Sequence, residues 1–371
     1  MAKIRICQLI TELRPAGAER MLFELARRID RDRFDVQVAA LRGGVVADWL
    51  AEIGVKVTVA GMSGKWDLAG LRPIFDHLRD ERIDILHTHL FHADLVGRLA
   101  AAHAGIEHLV HTVHVVEKRF RPWQFAFARV AATTCDRIIG VSQAVVDFHS
   151  RRSGLPAWRY ATIPNGIDAA MFAHDPMARA ELRERWDIKS GDVLLCYVGR
   201  LDVQKGLDVL LSAMSHLGAR GKPMKLVIAG DGPQRFIVEN FIAHGEGGRH
   251  TRYLGFVPDV RGVLSAADVF LMPSRWEGFG LAAAEAMAAG LPVIGTNVPG
   301  LREVLDDGRA GYMIEADDSF ALSDAIETVT ADPGLRGQLG QAGEKRVLEL
   351  YQIDRNIRAH ESLYGEIMGG R

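Results

Sequence analysis

The chain has 371 residues, of which 48% are hydrophobic and 25% are charged, and its formal net charge is −2. Because one hydrophobic core seldom grows beyond about 250 residues, this length predicts two domains, and the composition argues against a disordered or fibrous protein. The cysteines at positions 7, 135 and 196 lie far apart, which argues against a disulfide framework or a zinc ribbon and favours a reducing compartment.

The first half of the chain alternates short apolar runs with longer amphipathic segments. We predict strands at 4–10, 36–41, 55–59, 83–87, 109–113 and 137–141. Near-continuous apolar strands separated by helices are typical of a parallel sheet with right-handed crossovers and helices on both faces. Residues 1–166 are therefore predicted to form one doubly wound α/β domain.

The same pattern restarts in the second half. We predict strands at 193–198, 225–229, 252–254, 269–272 and 292–295, and a second domain of the same kind over 191–351. The proline and glycine turn at 163–168 and the arginine-rich segment behind it predict a linker at 167–190. The last amphipathic helix, 352–371, could pack on either domain.

The strongest motif lies between Ser274 and Glu285, where a strand end, a glycine loop and an apolar helix follow one another. Gly278 and Gly280 allow the backbone to approach a ligand, and the helix start offers unpaired N–H groups, which suit a diphosphate. Glu285 lies inside the helix, where a buried carboxylate requires hydrogen-bond donors. Glu277 precedes the glycines. The alternative is a surface loop and a solvated glutamate.

Two cations follow the first strand of the second domain, in the run Gly199 to Leu207. Ligands bind outside the carboxyl ends of parallel strands. Arg200 offers a fixed fork for phosphate oxygens and Lys205 a mobile point charge. These cations are candidates for neutralising a diphosphate, and the alternative is two solvated surface cations.

The first domain contributes a loop at Gly17, which follows the first strand, and seven histidines within residues 87–114. His87, His89 and His92 could suggest a metal site, but no carboxylate or thiolate complement accompanies them. His114 follows a predicted strand and is a candidate for the ligand side of the sheet. A structural histidine is the competing interpretation.

Together these motifs resemble those of the retaining glycosyltransferases of family 4. The resemblance extends over nearly the whole chain. It rests on the loop 17–19, His114, the turn 164–168, Gly199 to Leu201 with Lys205, the run 230–233, and Glu277 through Glu285. It implies a GT-B fold, in which two Rossmann-like domains face each other across a cleft and the C-terminal helix crosses back to the first domain. Ala16 stands where many members carry a second glycine.

The resemblance also implies roles for the candidate residues. Arg200 and Lys205 would bind the diphosphate, Glu285 the ribose and Glu277 the transferred sugar. Donor contacts would also come from the positions Gly17, Gly199, Phe256, Val257, Gly278, Phe279, Gly280 and Leu281, and His114 would touch the sugar. The implied reaction retains the anomeric configuration by front-face attack, so it needs no cofactor or catalytic base. The Asp-x-Asp motif at Asp30 and Asp32, which could bridge a metal ion to the donor, lies far from these motifs. We therefore expect the reaction to be independent of metal ions.

The segment from Glu117 to Arg129 interleaves cations and aromatic rings. Lys118, Arg119, Arg121 and Trp123 suit an anionic membrane surface or a lipid-linked acceptor, and the alternative is an ordinary helix with buried rings. No apolar run is long enough for a secretion signal or a spanning helix. We therefore expect a cytoplasmic protein, peripheral on the inner face of the cell membrane, acting in cell-surface polysaccharide or glycolipid synthesis.

The alternatives are other functions of nucleotide-binding α/β proteins. A sugar-nucleotide epimerase or a non-catalytic sugar-nucleotide-binding protein would bind the same ligands, although a sensor is expected to lose Arg200, Lys205 or Glu277. A phosphorylase would need a lysine for pyridoxal phosphate and, by resemblance, a far longer chain. A dinucleotide-dependent oxidoreductase would carry Gly-x-Gly-x-x-Gly after the first strand, where residues 11–19 contain only Gly17. We expect no nucleic-acid partner.

Overall fold

A computed structural model describes residues 3–61, 69–116, 118–222 and 224–369. The chain divides into two compact units: unit 1 comprises residues 1–166 and 353–371, and unit 2 comprises residues 167–352. Glu117 of the cationic segment and residues 370–371 of the predicted last helix lie outside the described residues.

The described part of unit 1 contains a parallel sheet of seven strands. These are β1 (Ile4–Glu12), β2 (Phe34–Arg42), β3 (Val57–Val59), β4 (Ile85–His89), β5 (His108–Val113), β6 (Arg137–Gly140) and β7 (Tyr160–Thr162). Their order is β3-β2-β1-β4-β5-β6-β7. The chain reverses its direction of progress between β1 and β4, and such a switch point opens a crevice at the carboxyl ends of the strands.

The described connections between these strands contain six helices: α1 (Gly17–Arg28), α2 (Val46–Glu52), α3 (Arg72–Asp80), α4 (Phe91–Ala104), α5 (Pro122–Ala131) and α6 (Gln143–Ser153). Short 3₁₀ turns lie at Ala69–Leu71, Ala132–Thr134 and Ala157–Arg159. The strands are apolar on both faces because helices cover both sides, and Ile6, Leu9 and Val38 are fully buried.

Unit 2 repeats the architecture with six parallel strands among its described residues. These are β8 (Leu194–Val198), β9 (Lys225–Ala229), β10 (Thr251–Gly255), β11 (Val269–Met272), β12 (Val293–Thr296) and β13 (Tyr312–Ile314). Their order is β10-β9-β8-β11-β12-β13. The switch point lies between β8 and β11, the two strands that precede the main sequence motifs.

The helices of unit 2 are α7 (Pro176–Arg185), α8 (Leu207–Ala219), α9 (Arg235–His244), α10 (Arg261–Ala266), α11 (Leu281–Ala288), α12 (Pro299–Val304), α13 (Ser319–Ala331) and α14 (Pro333–Leu350). Its 3₁₀ turns are Ala169–Phe172, Val203–Lys205, Gly248–His250 and Asp306–Gly308. The core fills the space between sheet and helices, with Leu195, Leu210 and Ile228 fully buried.

The segment 167–190, expected as a linker, contains α7 and belongs to unit 2. Asp175 caps the helix by accepting hydrogen bonds from the amides of Met177 and Ala178. Arg179 and Arg183 on this helix reach Asp268 at 2.6 and 2.9 Å. The arginines that gave this segment a linker-like composition therefore attach it to unit 2.

The last helix, α15 (Ile353–Gly369), belongs to unit 1. Tyr364 on this helix is fully buried, and its hydroxyl lies 3.0 Å from Gln8 Nε2 on β1. The Asn356 side chain donates a hydrogen bond of 2.6 Å to the carbonyl of Pro164. Unit 1 is thus completed by chain that follows unit 2 in sequence.

Candidate active site

The candidate site in unit 2 begins at the loop 273–280, which joins β11 to α11. Gly280 is the N-cap of α11 and adopts a left-handed conformation with φ of 106°, which a residue with a side chain rarely reaches. The first amides of the helix point out of its N-terminus without helical partners, and they carry a partial positive charge. The loop therefore presents N–H donors and a partial positive charge, the features that suit an anion.

Lys205, Glu277 and Ser274 form a cluster beside this helix start, in which Glu277 and Ser274 are buried and Lys205 is half-buried. Lys205 Nζ lies 2.5 Å from Glu277 Oε1, and the Ser274 hydroxyl donates to the same oxygen at 2.8 Å. The side chains of Lys205 and Glu277 are 21% and 6% exposed. This cluster joins the two motifs, which lie 72 residues apart in the chain.

Arg200 follows β8 and is held more loosely than Lys205. Its side chain is 65% exposed, and Nη2 lies 3.6 Å from Asp202 Oδ2. The loop beneath it is fixed, because the Tyr197 hydroxyl donates to the Arg200 carbonyl at 3.0 Å. Arg200 is thus an exposed cation on an anchored backbone.

Two glycines allow the loops of this site to touch. A Cβ at Gly230 would lie 1.9 Å from the carbonyl oxygen of Gly199, and φ at Gly230 is 145°. A Cβ at Gly300, in the first turn of α12, would lie 2.5 Å from the carbonyl oxygen of Gly278. Gly300 is not among the residues predicted from the sequence, although the Pro299-Gly300 pair begins three residues after the end of β12.

The remaining predicted donor residues divide between buried and exposed positions. Glu285 lies on α11 and is 5% exposed, and Phe279 is 2% exposed. The Phe279 ring packs edge-on against Tyr351 with centroids 5.0 Å apart, so only its backbone can face a ligand. Phe256, after β10, is 53% exposed, and it offers an apolar surface beside the half-buried Val257.

In unit 1, Gly17 is the exposed first residue of α1, and His114 directly follows β5. His114 Nε2 lies 2.9 Å from His89 Nδ1. His114 Nδ1 is buried and has no hydrogen-bond partner among the described residues. Burial lowers the pKa of His114 to about 3, so this ring is neutral near pH 7.

The histidines at positions 87, 89 and 92 differ in their exposure to solvent. His87 and His89 are buried at the end of β4, where burial holds the pKa of each well below its usual range. His92 is exposed on α4. Within the described ranges, no group of three or more His, Cys, Asp or Glu side chains is placed to hold a metal ion.

The cationic segment lies on the surface of unit 1. Lys118, Arg119 and Arg121 are exposed, and Trp123 at the start of α5 is 57% exposed although one side of its ring contacts Phe91. Among the helices described, none is long and apolar enough to cross a bilayer.

Both halves of this chain match known protein families. The family model for glycosyl transferases group 1 matches residues 178–346, and the model for glycosyltransferase family 4 matches residues 15–171. D-inositol 3-phosphate glycosyltransferase of Xylanimonas cellulosilytica is 30% identical, over 80% of this chain and 75% of its own. The chain belongs to the family 4 glycosyltransferases.

Two further similarities, one of sequence and one of structure, extend over almost the whole chain. UDP-Gal:alpha-D-GlcNAc-diphosphoundecaprenol alpha-1,3-galactosyltransferase of Escherichia coli is 26% identical, over 98% of this chain and 97% of its own. The crystal structure of Anabaena Alr3699/HepE in complex with UDP and glucose superposes with a TM-score of 0.86 at 22% identity, covering 97% of this chain and 99% of the other. The predicted fold of two Rossmann-like domains of the GT-B class is confirmed.

Proposed function

We propose that this glycosyltransferase moves a sugar from a UDP- or GDP-sugar to an acceptor hydroxyl, with retention of configuration and without a metal ion. The observation that carries the proposal is the Lys205–Glu277 cluster beside the start of α11. The cation and the helix N-terminus suit a phosphate group, and the carboxylate suits a hydroxyl of the attached sugar. All three lie within one pair of loops.

The diphosphate would be bound by Arg200, Lys205 and the backbone amides of residues 278–281, with Gly199 allowing close approach. In the transition state the sugar resembles an oxocarbenium ion and the diphosphate gains negative charge. Preorganised cations and amides stabilise that charge, which is the task a divalent cation performs in other transferases. The departing diphosphate would take the proton of the acceptor hydroxyl.

Glu277 would bind the transferred sugar. Both of its hydrogen-bonded contacts with described residues fall on Oε1, which leaves Oε2 to accept from a sugar hydroxyl. Glu285 would accept from the ribose, and Phe256 with Val257 would flank the base. We propose that His114 and the Gly17 loop of unit 1 contact the donor as well.

For the acceptor, we propose a lipid-linked molecule at an anionic membrane face, with unit 1 as the acceptor-side domain and unit 2 as the donor-side domain. Support comes from the exposed cations at 118, 119 and 121 beside Trp123, and from the apolar side chains of Leu95 and Leu99, which are 38% and 59% exposed on α4. The E. coli relative is named for a diphosphoundecaprenol-linked acceptor. Such a role places the enzyme in cell-surface polysaccharide or glycolipid synthesis.

A thermal-shift panel of UDP-, GDP- and ADP-sugars in EDTA tests the donor. A ligand that binds only the folded state raises the melting temperature, by an amount that grows with its concentration relative to the dissociation constant. We expect a UDP- or GDP-sugar to do so without added metal. The absence of any shift at millimolar donor would refute the donor site, and a shift that requires a divalent cation would refute metal independence.

Flotation with anionic vesicles tests the membrane proposal. We expect the chain to float with vesicles containing acidic lipid, and the variant Lys118→Glu/Arg119→Glu/Trp123→Ala to remain in the dense fraction. Phe236→Ala is the control for loss of an exposed aromatic ring, because Phe236 lies in unit 2 and is 65% exposed, compared with 57% for Trp123. Equal flotation of the triple variant and the wild type would overturn the proposal.

A further inference from the structure

A continuous series of buried hydrogen bonds crosses unit 1. We name it the Gln8 chain, and its members in order are Thr112, His87, Tyr364, Gln8, His89 and His114. Its contacts are Thr112 Oγ1–His87 Nε2 at 2.7 Å, His87 Nδ1–Tyr364 Oη at 2.7 Å, Tyr364 Oη–Gln8 Nε2 at 3.0 Å, Gln8 Oε1–His89 Nε2 at 2.5 Å and His89 Nδ1–His114 Nε2 at 2.9 Å. Three strands and the last helix of the chain are linked in this way.

Both ends of the Gln8 chain lie at one small cavity of unit 1. Thr112 and His114 line this cavity, together with Asn165, Asn356 and His360. His114 Nδ1 and Asn356 Oδ1 are buried polar atoms without a hydrogen-bond partner among the described residues. Buried polar atoms are nearly always satisfied by protein, water or ligand, so these two atoms mark a binding position.

Each member of the Gln8 chain can donate on one side and accept on the other. A neutral imidazole has one N–H and one acceptor nitrogen, a hydroxyl has one proton, and the Gln8 amide donates through nitrogen and accepts through oxygen. With the Gln8 oxygen toward His89, all three histidines carry their proton on Nε2. If the Gln8 amide rotates by about 180°, donor and acceptor exchange at every contact. All three histidines then carry their proton on Nδ1.

The two directions present complementary pairs of groups to the cavity. In the first direction His114 Nδ1 is an acceptor while the Thr112 hydroxyl is free to donate. In the second direction His114 Nδ1 donates while the Thr112 oxygen accepts. The two ends of the Gln8 chain therefore face the occupant with one donor and one acceptor in either case, beside the Asn356 oxygen, which accepts in both.

We propose that the Gln8 chain makes this cavity a receptor for a neutral hydroxyl group, and that Gln8 is the positioning residue that couples its two ends. A hydroxyl donates and accepts at once, whereas a carboxylate only accepts and an ammonium group only donates. This inference rests on the proposed function, in which His114 contacts the transferred sugar. It adds that the sugar presents a hydroxyl there, not a charged group.

Solution NMR of the full chain labelled with ¹⁵N-histidine tests the coupling, because a protonated and an unprotonated ring nitrogen have distinct signals. We expect His87, His89 and His114 to carry their protons on the same type of nitrogen near pH 7. His149 bonds to Tyr160 at 2.7 Å outside the Gln8 chain and is the internal reference. Different tautomers at His87 and His89 in the wild type would overturn the proposal.

The variant Thr112→Val tests whether one end governs the other. Valine keeps the shape of threonine but gives His87 Nε2 no acceptor, and a buried N–H without a partner is disfavoured more than an unpaired acceptor. We expect the protons of His87, His89 and His114 all to be on Nδ1 in this variant. A change confined to His87 would contradict the coupling.

Gln8→Met and Tyr364→Phe interrupt the Gln8 chain at adjacent links, so one of them is informative if the other does not fold. We expect Thr112→Val to leave His89 and His114 unchanged when it is combined with either variant. A response of His114 to Thr112→Val in a chain interrupted at Gln8 or Tyr364 would show that the signal takes another route and would refute the role of Gln8.

Kinetics then separate this inference from the proposed function. We expect Thr112→Val to lower kcat/KM for the sugar donor by about tenfold, the effect of one lost hydrogen bond. Coupled tautomers in a protein that transfers no sugar would refute the proposed function alone. An active wild type whose three histidines titrate and tautomerise independently would refute the Gln8 chain alone.

Discussion

Replacing Lys205 by methionine separates a structural role of this lysine from a role in binding diphosphate. The substitution keeps the length of the side chain but leaves the carboxylate of Glu277, which is 6% exposed, with the Ser274 hydroxyl as its remaining partner. Removing one partner of a buried ion pair costs about 3–5 kcal/mol. Because Lys205 is 21% exposed and Ser274 stays in place, we expect the lower end, about 3 kcal/mol.

Urea denaturation followed by a probe in unit 2 measures that loss. The matched control is Lys222→Met, because Lys222 pairs with Glu327 at the surface, where its side chain is 58% exposed. An exposed pair contributes about 0–1 kcal/mol, so we expect the control to retain nearly all of its stability. The double variant Lys205→Met/Glu277→Gln removes the unpaired charge and should recover most of the stability lost in the single variant.

Activity of the same proteins gives the decisive result. If Lys205 binds the diphosphate, both variants that lack it lose a charged hydrogen bond of about 1.5–3 kcal/mol, or roughly 10- to 150-fold in kcat/KM. Glu277 would itself bind the sugar, so the single variant Glu277→Gln is the reference for the double variant. Restored stability with kcat/KM well below that of Glu277→Gln supports the role of Lys205. A double variant that regains both stability and kcat/KM would refute it, because the lysine would then serve only to neutralise Glu277.

Three further outcomes follow from the structure. Glu285→Ala should weaken UDP or GDP binding by tenfold or more in calorimetry, and unchanged affinity would return Glu285 to a structural role. Gly300→Ala should lower stability by about 1–3 kcal/mol and impair donor binding, since the added methyl meets the Gly278 carbonyl, whereas Gly337→Ala, with open space around it, should be harmless. Burial lowers the pKa of His114 to about 3 and of His360 to about 4. The unfolded chain therefore binds more protons as pH falls from about 6.5 to about 3. Unit 1 should lose stability across that window and be fully stable above it, and hydrogen exchange showing no such loss would contradict the burial of these rings.

The fold was predictable where apolar runs are long, and less so elsewhere. The central strands of both sheets stand out because helices cover both faces. The edge strands β7 and β13 escaped prediction, since each has only three residues and only β13 has a buried one among them. Helix α7 was hidden because Arg179 and Arg183 are held by Asp268, and no periodic pattern reveals an ion pair with a residue more than 80 positions away.

The candidate site also has features that local sequence predicts and features that it does not. The glycine loop, the burial of Glu285 and the position of His114 after a strand follow from local sequence. The contact between Lys205 and Glu277 does not, because it depends on how β8 and β11 pair in the sheet. Phe279 lies in the motif, yet its side chain packs on Tyr351, a neighbour that local sequence does not reveal.

The placement of α15 in unit 1 has a consequence for biosynthesis. A ribosome makes the strands of unit 1 first, then all of unit 2, and only then the helix that carries Tyr364. Domains fold as units during synthesis, at about 5–20 residues per second, so unit 2 can finish folding while the first sheet still lacks one of its walls. The half-built unit exposes the polar face of Gln8 and His87 during that interval of several seconds or more. The order of synthesis thus makes unit 1, whose strands are made before unit 2, the later of the two units to mature.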